Sequence, residues 1–122
     1  MSIKAPRRVG RRLFSVVLDK GISANSNLFS VRYLNSSVFH GELPQYQGLS
    51  SFSFVVSKKV SKKAVVRNKL KRRGRYAINK LIGRIKEGFV LLFFFRPQAV
   101  DVPYSVLDSN INEILAKIGA IK

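Results

Sequence analysis

The apolar positions of this chain recur with two periods, and each period predicts one kind of secondary structure. Spacings of three and four residues predict helices over residues 12–20, 61–87 and 103–119. Alternation of apolar and polar residues predicts half-buried strands near residues 28–33 and 52–57. The polar stretch between these two strands is expected to be a long connection or a hairpin loop.

The segment after the longest predicted helix is apolar at every position. Residues 89–95 read Phe-Val-Leu-Leu-Phe-Phe-Phe, which is typical of a central strand buried on both faces. Gly88 ends the helix before it, and Arg96-Pro97 ends the strand. The predicted fold class is α+β, with three helices on a small sheet of about four strands in the order α-β-β-β-α-β-α.

The helix predicted over residues 61–87 carries one apolar stripe, which we expect to be buried on the sheet. Ser61 is a possible N-cap, and Gly74 lies mid-helix at a cost of about 1 kcal/mol relative to alanine. The stripe repeats at spacings of four or seven and consists of Val66, Leu70, Ala77, Leu81 and Ile85.

The charge of the chain is far from balanced. Its 122 residues include 23 Lys and Arg against 6 Asp and Glu, which gives a net charge of +17. Such an excess favours a polyanionic partner, with nucleic acid first and an anionic membrane surface second. The length predicts one domain over residues 1–122, with residues 1–11 as a basic arm. The sequence has no cysteine, which excludes disulfides and thiolate zinc sites and fits a cytoplasmic protein.

The N-terminal segment also resembles a targeting peptide, because several arginines precede a short apolar stretch at residues 13–18. The stretch is short for a secretory signal, and no small-residue cleavage site follows it. A mitochondrial-type presequence stays open as an alternative to a mature basic arm that leads into the first helix.

The densest cationic segment begins at the end of the second predicted strand. No acidic residue occurs between Glu42 and Glu87, so the sequence interleaves no ion-pair partners with these cations. Like charges four residues apart destabilise a merely solvated helix, whereas a phosphate-binding face explains them directly. Residues 58–75 contain ten basic residues: Lys58, Lys59, Lys62, Lys63, Arg67, Lys69, Lys71, Arg72, Arg73 and Arg75.

Aromatic side chains give a second, weaker indication of RNA binding. Phe14, Phe29 and Tyr33 could stack single-stranded bases if the first helix packs beside the first strand. The alternative is that these three belong to the core. Four further phenylalanines are expected in the core: Phe52, Phe54, Phe93 and Phe95.

The sequence predicts no catalytic residue and no metal site. His40 is the single histidine and falls in a glycine-containing loop, which is typical of a surface histidine. The six acids are scattered, so neither a catalytic carboxylate pair nor a metal-binding cluster is visible. If the protein serves an enzyme, another component performs the chemistry.

Residues 54–72 resemble the signature of the bacterial ribonuclease P protein subunit. That family has a strand that ends in Ser-Lys-Lys, here Ser57-Lys58-Lys59, followed by a helix with Arg-Asn-Arg and Lys-Arg, here Arg67-Asn68-Lys69 and Lys71-Arg72. Three further features fit the family: Phe14, Gly21 and the pair Ala24-Asn25. The chain departs from the family pattern at Leu18, Val31, Lys69, Arg73-Gly74 and Tyr76.

This resemblance implies a fold, partners and a mechanism. The fold is expected to contain a left-handed βαβ crossover around the basic helix. The protein is expected to join a catalytic RNA in an endonuclease that removes the 5′ leader of precursor tRNA, using Mg²⁺ ions held mainly by RNA. We expect neither a membrane nor an obligate protein as partner.

By the same resemblance, two sets of residues bind RNA. The set that faces the catalytic RNA is Lys62, Lys63, Arg67, Asn68, Lys69, Lys71, Arg72 and Arg75. The set that lines a cleft for the single-stranded leader is Phe14, Phe29, Val31, Tyr33, Ser57 and Lys58.

Two other interpretations of the sequence stay open. A structural RNA-binding protein, of ribosomal or RNA-chaperone type, accounts for the charge but not for the order of the motifs. Binding to a membrane surface requires an exposed apolar face opposite the cations, where we expect a face buried on the sheet.

Overall fold

A computed structural model describes residues 7–35 and 50–121 of the chain. The helices are α1 (Arg11–Lys20), α2 (Ala64–Lys80) and α3 (Tyr104–Lys117). The strands are β1 (Arg7–Arg8), β2 (Ile22–Asn25), β3 (Phe29–Asn35), β4 (Ser51–Val55) and β5 (Phe89–Phe95). This order confirms the predicted α+β class, with a two-residue strand added before α1. Most of the predicted connection before β4, including His40, lies outside the described residues.

The five strands form one mixed sheet in the order β1-β4-β5-β3-β2. β4 runs parallel to β5, and β3 runs antiparallel to β5 on its other side. β5 is therefore the central strand, as its apolar run predicted, and six of its seven residues are buried. α2 connects the parallel neighbours β4 and β5, so the three elements form a βαβ unit. The left-handed sense of this crossover stays a prediction.

Helices cover both faces of the sheet. On one face, α2 and α3 bury a large cluster that includes Phe29 of β3 and Phe93 of β5. On the other face, α1 covers a smaller cluster that includes Val90 and Leu92 of β5, and Val17 of α1 is fully buried in it. Side chains alternate between the two faces along each strand, so neighbouring residues of a strand pack into different clusters.

The sequence did not predict the positions of the two edge strands, β1 and β2. β2 pairs antiparallel with β3, with Ile22 opposite Tyr33 and Asn25 opposite Ser30. β1 pairs parallel with the first two residues of β4, so part of the predicted basic arm extends the other edge of the sheet. Val9, which follows β1, is buried in the cluster under α1.

α2 is shorter than the helix that the sequence predicted over residues 61–87 and covers the middle of that range. A 3-10 helix (Ile82–Arg84) follows it, and Ile85 then forms an isolated bridge with Ile121. The last residue of the predicted apolar stripe is therefore buried against the C-terminal segment rather than on a continuous helix.

Gly74 allows α2 to lie close to the sheet. It is buried, and a Cβ atom on it would stand 2.7 Å from two ring atoms of Phe54 on β4. The Phe54 ring in turn stacks on Phe93 of β5, with 4.9 Å between the ring centroids. Glycine therefore occupies this helical position, despite its low helix propensity, because a larger residue would push α2 off the central strands.

We predict that Gly74→Ala lowers the free energy of unfolding by about 1–3 kcal/mol, because overpacking against Phe54 outweighs the gain in helix propensity. In a Phe54→Leu background, which lacks the ring, the same substitution should cost less. Urea unfolding of the four proteins gives a double-mutant cycle that measures the difference. An equal cost in both backgrounds would show that the ring is not what excludes a side chain at this position.

Candidate nucleic-acid interface

α2 buries one stripe on the sheet and leaves most of its cations in solvent. Its buried residues are Leu70, Gly74, Ala77 and Ile78. Of the eight residues predicted to face the catalytic RNA, two are half-buried, namely Arg67 and Lys71. The other six are exposed: Lys62, Lys63, Asn68, Lys69, Arg72 and Arg75.

Arg67 is held at the start of the helix. Its Nη1 donates a hydrogen bond to the carbonyl oxygen of Ser61 at 2.9 Å. The Ser61 hydroxyl accepts a hydrogen bond from the backbone N–H of Lys63 at 3.2 Å, but it does not cap α2. The Arg67 side chain thus orders the turn between β4 and α2.

A groove of about 440 Å³ lies between α1, α2 and the outer edge of β4. Among the described residues, β1 pairs only with Ser51 and Phe52 of β4, so the remainder of that strand edge borders the groove. The lining residues are Val9, Phe14, Phe52, Ser53, Phe54, Val55, Asn68, Lys71, Arg75, Ile78 and Asn79.

Phe14 is the aromatic residue that α1 contributes to the groove. The side chain is half-buried, and its ring contacts Phe94 of β5 edge-to-face with 6.3 Å between the centroids. Fully buried Val17, three residues later, fixes α1 on this face of the sheet. The sheet therefore supports one side of the Phe14 ring, and the rest of the ring borders the groove.

The described residues of the groove carry charge of one sign. Lys71 and Arg75 lie about one helical turn apart on α2, and none of the described residues that line the groove is acidic. Asn68 and Asn79 add amide groups, which both donate and accept hydrogen bonds. This arrangement suits a single RNA strand, whose phosphates pair with cations while its bases stack on an aromatic ring.

The structure separates the residues that the sequence assigned to one leader cleft. Phe29 and Val31 are fully buried with α2 and α3, on the face of the sheet opposite α1. Tyr33 is half-buried and packs against the same core. Phe14 lies on the other face of the sheet. The side chains of these three residues point to one side of β3, and α1 covers the opposite side.

The other two residues of that predicted set lie just beyond β4. Ser57 and Lys58 are both exposed, and neither lines the groove. Sequence reasoning missed the contribution of Ser53 and Val55, which alternate with the buried phenylalanines of β4. The alternation was visible in the sequence, but it predicted only a solvent-facing side of the strand.

A second, shallower pocket of about 250 Å³ lies on the α3 side of α2. We call it the tyrosine patch, and its residues are Lys69, Arg72, Arg73, Tyr76 and Tyr104. The rings of Tyr76 and Tyr104 contact each other with 5.6 Å between the centroids. Lys80 Nζ lies 5.9 Å from the Tyr76 centroid and 5.4 Å from the Tyr104 centroid.

One acidic residue of α3 orders the edge of the tyrosine patch. Oδ2 of Asp108 lies 3.4 Å from Nζ of Lys80. Burial raises the pKa of Tyr104, and the Asp108 carboxylate raises it further. Desolvation acts to lower the pKa of Lys80, but Tyr104 and Asp108 together outweigh it and the pKa is raised. At neutral pH the lysine is therefore charged and the tyrosine is neutral.

Two negative findings concern residues 7–35 and 50–121. In these ranges no three His, Cys, Asp or Glu side chains come together as metal ligands. No helix there is both long and apolar enough to cross a membrane. The Mg²⁺ ions that the family resemblance implies are expected to be held mainly by RNA, and their involvement stays a prediction.

Comparison with known proteins gives consistent similarities. The family model described as Ribonuclease P matches residues 4–119. A ribonuclease P protein component of Microcystis aeruginosa is 40% identical over 78 residues, which cover 64% of this chain and 65% of the relative. One from Synechocystis sp. is 39% identical over 72 residues, covering 59% and 58%. The matched part thus spans less than two thirds of either relative.

The fold of this chain also matches a solved structure. The RNase P protein of Staphylococcus aureus superposes with a TM-score of 0.79 at 23% identity. The superposition covers 98% of this chain and 100% of that protein. At this level of identity the likeness concerns the fold alone, and it agrees with the arrangement of three helices on a mixed sheet.

We predict that Lys71→Ala and Arg75→Ala each weaken binding of a single-stranded RNA oligonucleotide. Each should lower the slope of log K against log salt by about 0.7, because each removes one phosphate contact in the groove. The matched control is Lys117→Ala, since Lys117 lies at the opposite edge of the sheet, where its Nζ donates to the Asn25 carbonyl at 3.4 Å. Filter binding over a range of salt concentrations measures both quantities. A loss of the same size for Lys117→Ala would mean that net charge, rather than the groove, binds RNA.

Proposed function

This chain belongs to the ribonuclease P family, and we propose that it is the protein subunit of the ribonuclease P ribonucleoprotein. In this role it binds the catalytic RNA and the 5′ leader of precursor tRNA, and it aids the endonucleolytic removal of that leader. The observation that carries the proposal is the groove, which places Phe14 and the cations Lys71 and Arg75 around a space for one strand.

The leader of precursor tRNA is the single strand that we assign to the groove. One or more of its bases stack on Phe14, at about 1–3 kcal/mol for each stacked base. Its phosphates pair with Lys71 and Arg75, and the guanidinium of Arg75 can hold two phosphate oxygens at once. The amides of Asn68 and Asn79 then hydrogen-bond base edges or the sugar–phosphate backbone.

We assign hydrolysis of the phosphodiester to the catalytic RNA, with Mg²⁺ bound by RNA. Within residues 7–35 and 50–121, the side chains that line the groove include no carboxylate and no imidazole that could act as a general base. Lys71 and Arg75 would repel a divalent cation, whereas RNA phosphates attract Mg²⁺, which prefers oxygen ligands.

The contribution of the protein is then electrostatic and positional. The catalytic RNA and precursor tRNA are both polyanions, and they repel each other when they meet. The net charge of +17 lowers that repulsion, as Mg²⁺ ions do at higher concentration. The cations of α2 that lie outside the groove are available to the catalytic RNA.

We expect this protein to stimulate cleavage of precursor tRNA strongly when it is mixed with its cognate RNA subunit at low Mg²⁺ and near-physiological salt. The reason is that its cations replace the Mg²⁺ ions that the RNA would otherwise need to screen its substrate. The measurement is the cleavage rate with and without protein, repeated at high Mg²⁺, where the difference should shrink. Binding of the cognate RNA without stimulation would instead favour a structural RNA-binding protein of ribosomal or RNA-chaperone type.

Phe14→Ala should weaken the binding of precursor tRNA to the assembled enzyme by about 1–3 kcal/mol and leave mature tRNA nearly unaffected, because only the precursor carries a leader to stack on the ring. Phe14→Tyr keeps the ring and should retain the affinity. Leu18→Ala, at a 45% exposed position of the same helix, controls for changes in α1. Equal losses for precursor and mature tRNA would remove Phe14 from the leader site.

A further inference from the structure

α2 presents a second surface that is compatible with RNA. Lys69, Arg72 and Tyr76 of the tyrosine patch each follow by one position a residue that lines the groove. One position along an α-helix is a rotation of about 100°, so the patch lies about a quarter turn around α2 from the groove. The two surfaces therefore face different directions on the same helix.

The Tyr76 ring is exposed and yet held in place. Its side chain is 59% exposed, while Tyr104 of α3 supports it at a 58° angle between the ring planes. Lys80 lies across both rings and is fixed by Asp108. An aromatic surface that is already ordered loses little conformational entropy when a flat partner stacks on it, which favours binding.

The surroundings of this ring carry a positive excess. Lys69 and Arg72 are exposed, and Arg73 is half-buried with its Nη1 3.5 Å from the carbonyl oxygen of Val102. Asp108, an acidic residue beside the patch, is already paired with Lys80. An exposed ring flanked by cations is the combination that binds a nucleotide, since the base stacks on the ring and the phosphates pair with the cations.

We propose that the tyrosine patch is a nucleotide-binding site for the catalytic RNA subunit. An unpaired base of that RNA stacks on Tyr76, and Lys69 and Arg72 contact the phosphates on either side of it. This inference rests on the proposed function and adds a contact site to it. The catalytic RNA, rather than the leader, is the source of the nucleotide, because the leader occupies the groove on a different side of α2.

The test compares Tyr76→Ala with Tyr76→Phe and with Val65→Ala, a change at a 79% exposed position of α2 outside both surfaces. The dissociation constant for the cognate RNA subunit is measured without substrate at several salt concentrations. Tyr76→Ala should weaken binding about tenfold at every salt concentration with an unchanged salt slope, because it removes a stacked ring and no charge. Tyr76→Phe should bind like the wild type, and Arg72→Ala should reduce the slope.

A second measurement, the affinity of the assembled enzyme for precursor tRNA, identifies the source of the nucleotide. If Tyr76→Ala binds the RNA subunit as Val65→Ala does while the wild type binds and stimulates cleavage, the patch proposal is overturned and the proposed function stands. A loss confined to precursor tRNA overturns the assignment to the catalytic RNA. Failure of the wild-type protein to bind the RNA subunit would overturn the proposed function and the patch together.

Discussion

The close packing of α2 on the sheet is the contact on which both proposed RNA-binding surfaces depend. α2 contains seven basic residues and no acidic one, so its own side chains repel each other and form no ion pairs along the helix. Its order therefore comes from the buried stripe and from the approach of Gly74 to Phe54, rather than from its exposed surface. Because that approach also fixes the rotation of α2 about its axis, it determines which cations border the groove and which border the tyrosine patch.

The elements with long, regular patterns could be predicted from the sequence, because the spacing of their apolar residues indicates which side of each element is buried. This holds for the three helices and for β5, whose seven apolar residues leave it no solvent-facing side. Prediction from apolar spacing fails for β2, because only one of its four residues is buried. The strand is instead defined by its pairing with β3. Such prediction also fails at the end of α2, where the apolar spacing continues but Ile85 pairs with Ile121 instead of extending the helix.

The candidate site was predictable to the same extent and for the same reason. The cationic sides of α2 follow from helical period and charge, both of which are local. The leader cleft does not follow, because alternation along β3 groups Phe29 with Val31 but does not say which helix covers them. Phe29 and Val31 are buried under α2 and α3, while the position of α1 turns the edge of β4 into a groove wall. Several sets of residues have local patterns that are compatible with an RNA-binding site. Long-range packing thus determines which of them border the groove.

Two RNA-binding surfaces on one helix, as proposed above, would also explain why the groove contains an aromatic ring. A helix with its side chains is about 10–12 Å across, close to the screening length of about 8–10 Å near physiological salt. Phosphates bound on one side of α2 therefore lower the positive potential on the other side. On the proposed function, the catalytic RNA covers part of α2 before the substrate arrives and weakens the Coulomb attraction of Lys71 and Arg75 for the leader. Stacking on Phe14 is a contribution that a neighbouring polyanion does not cancel, so the groove retains affinity for a single strand after its charge has been partly neutralised.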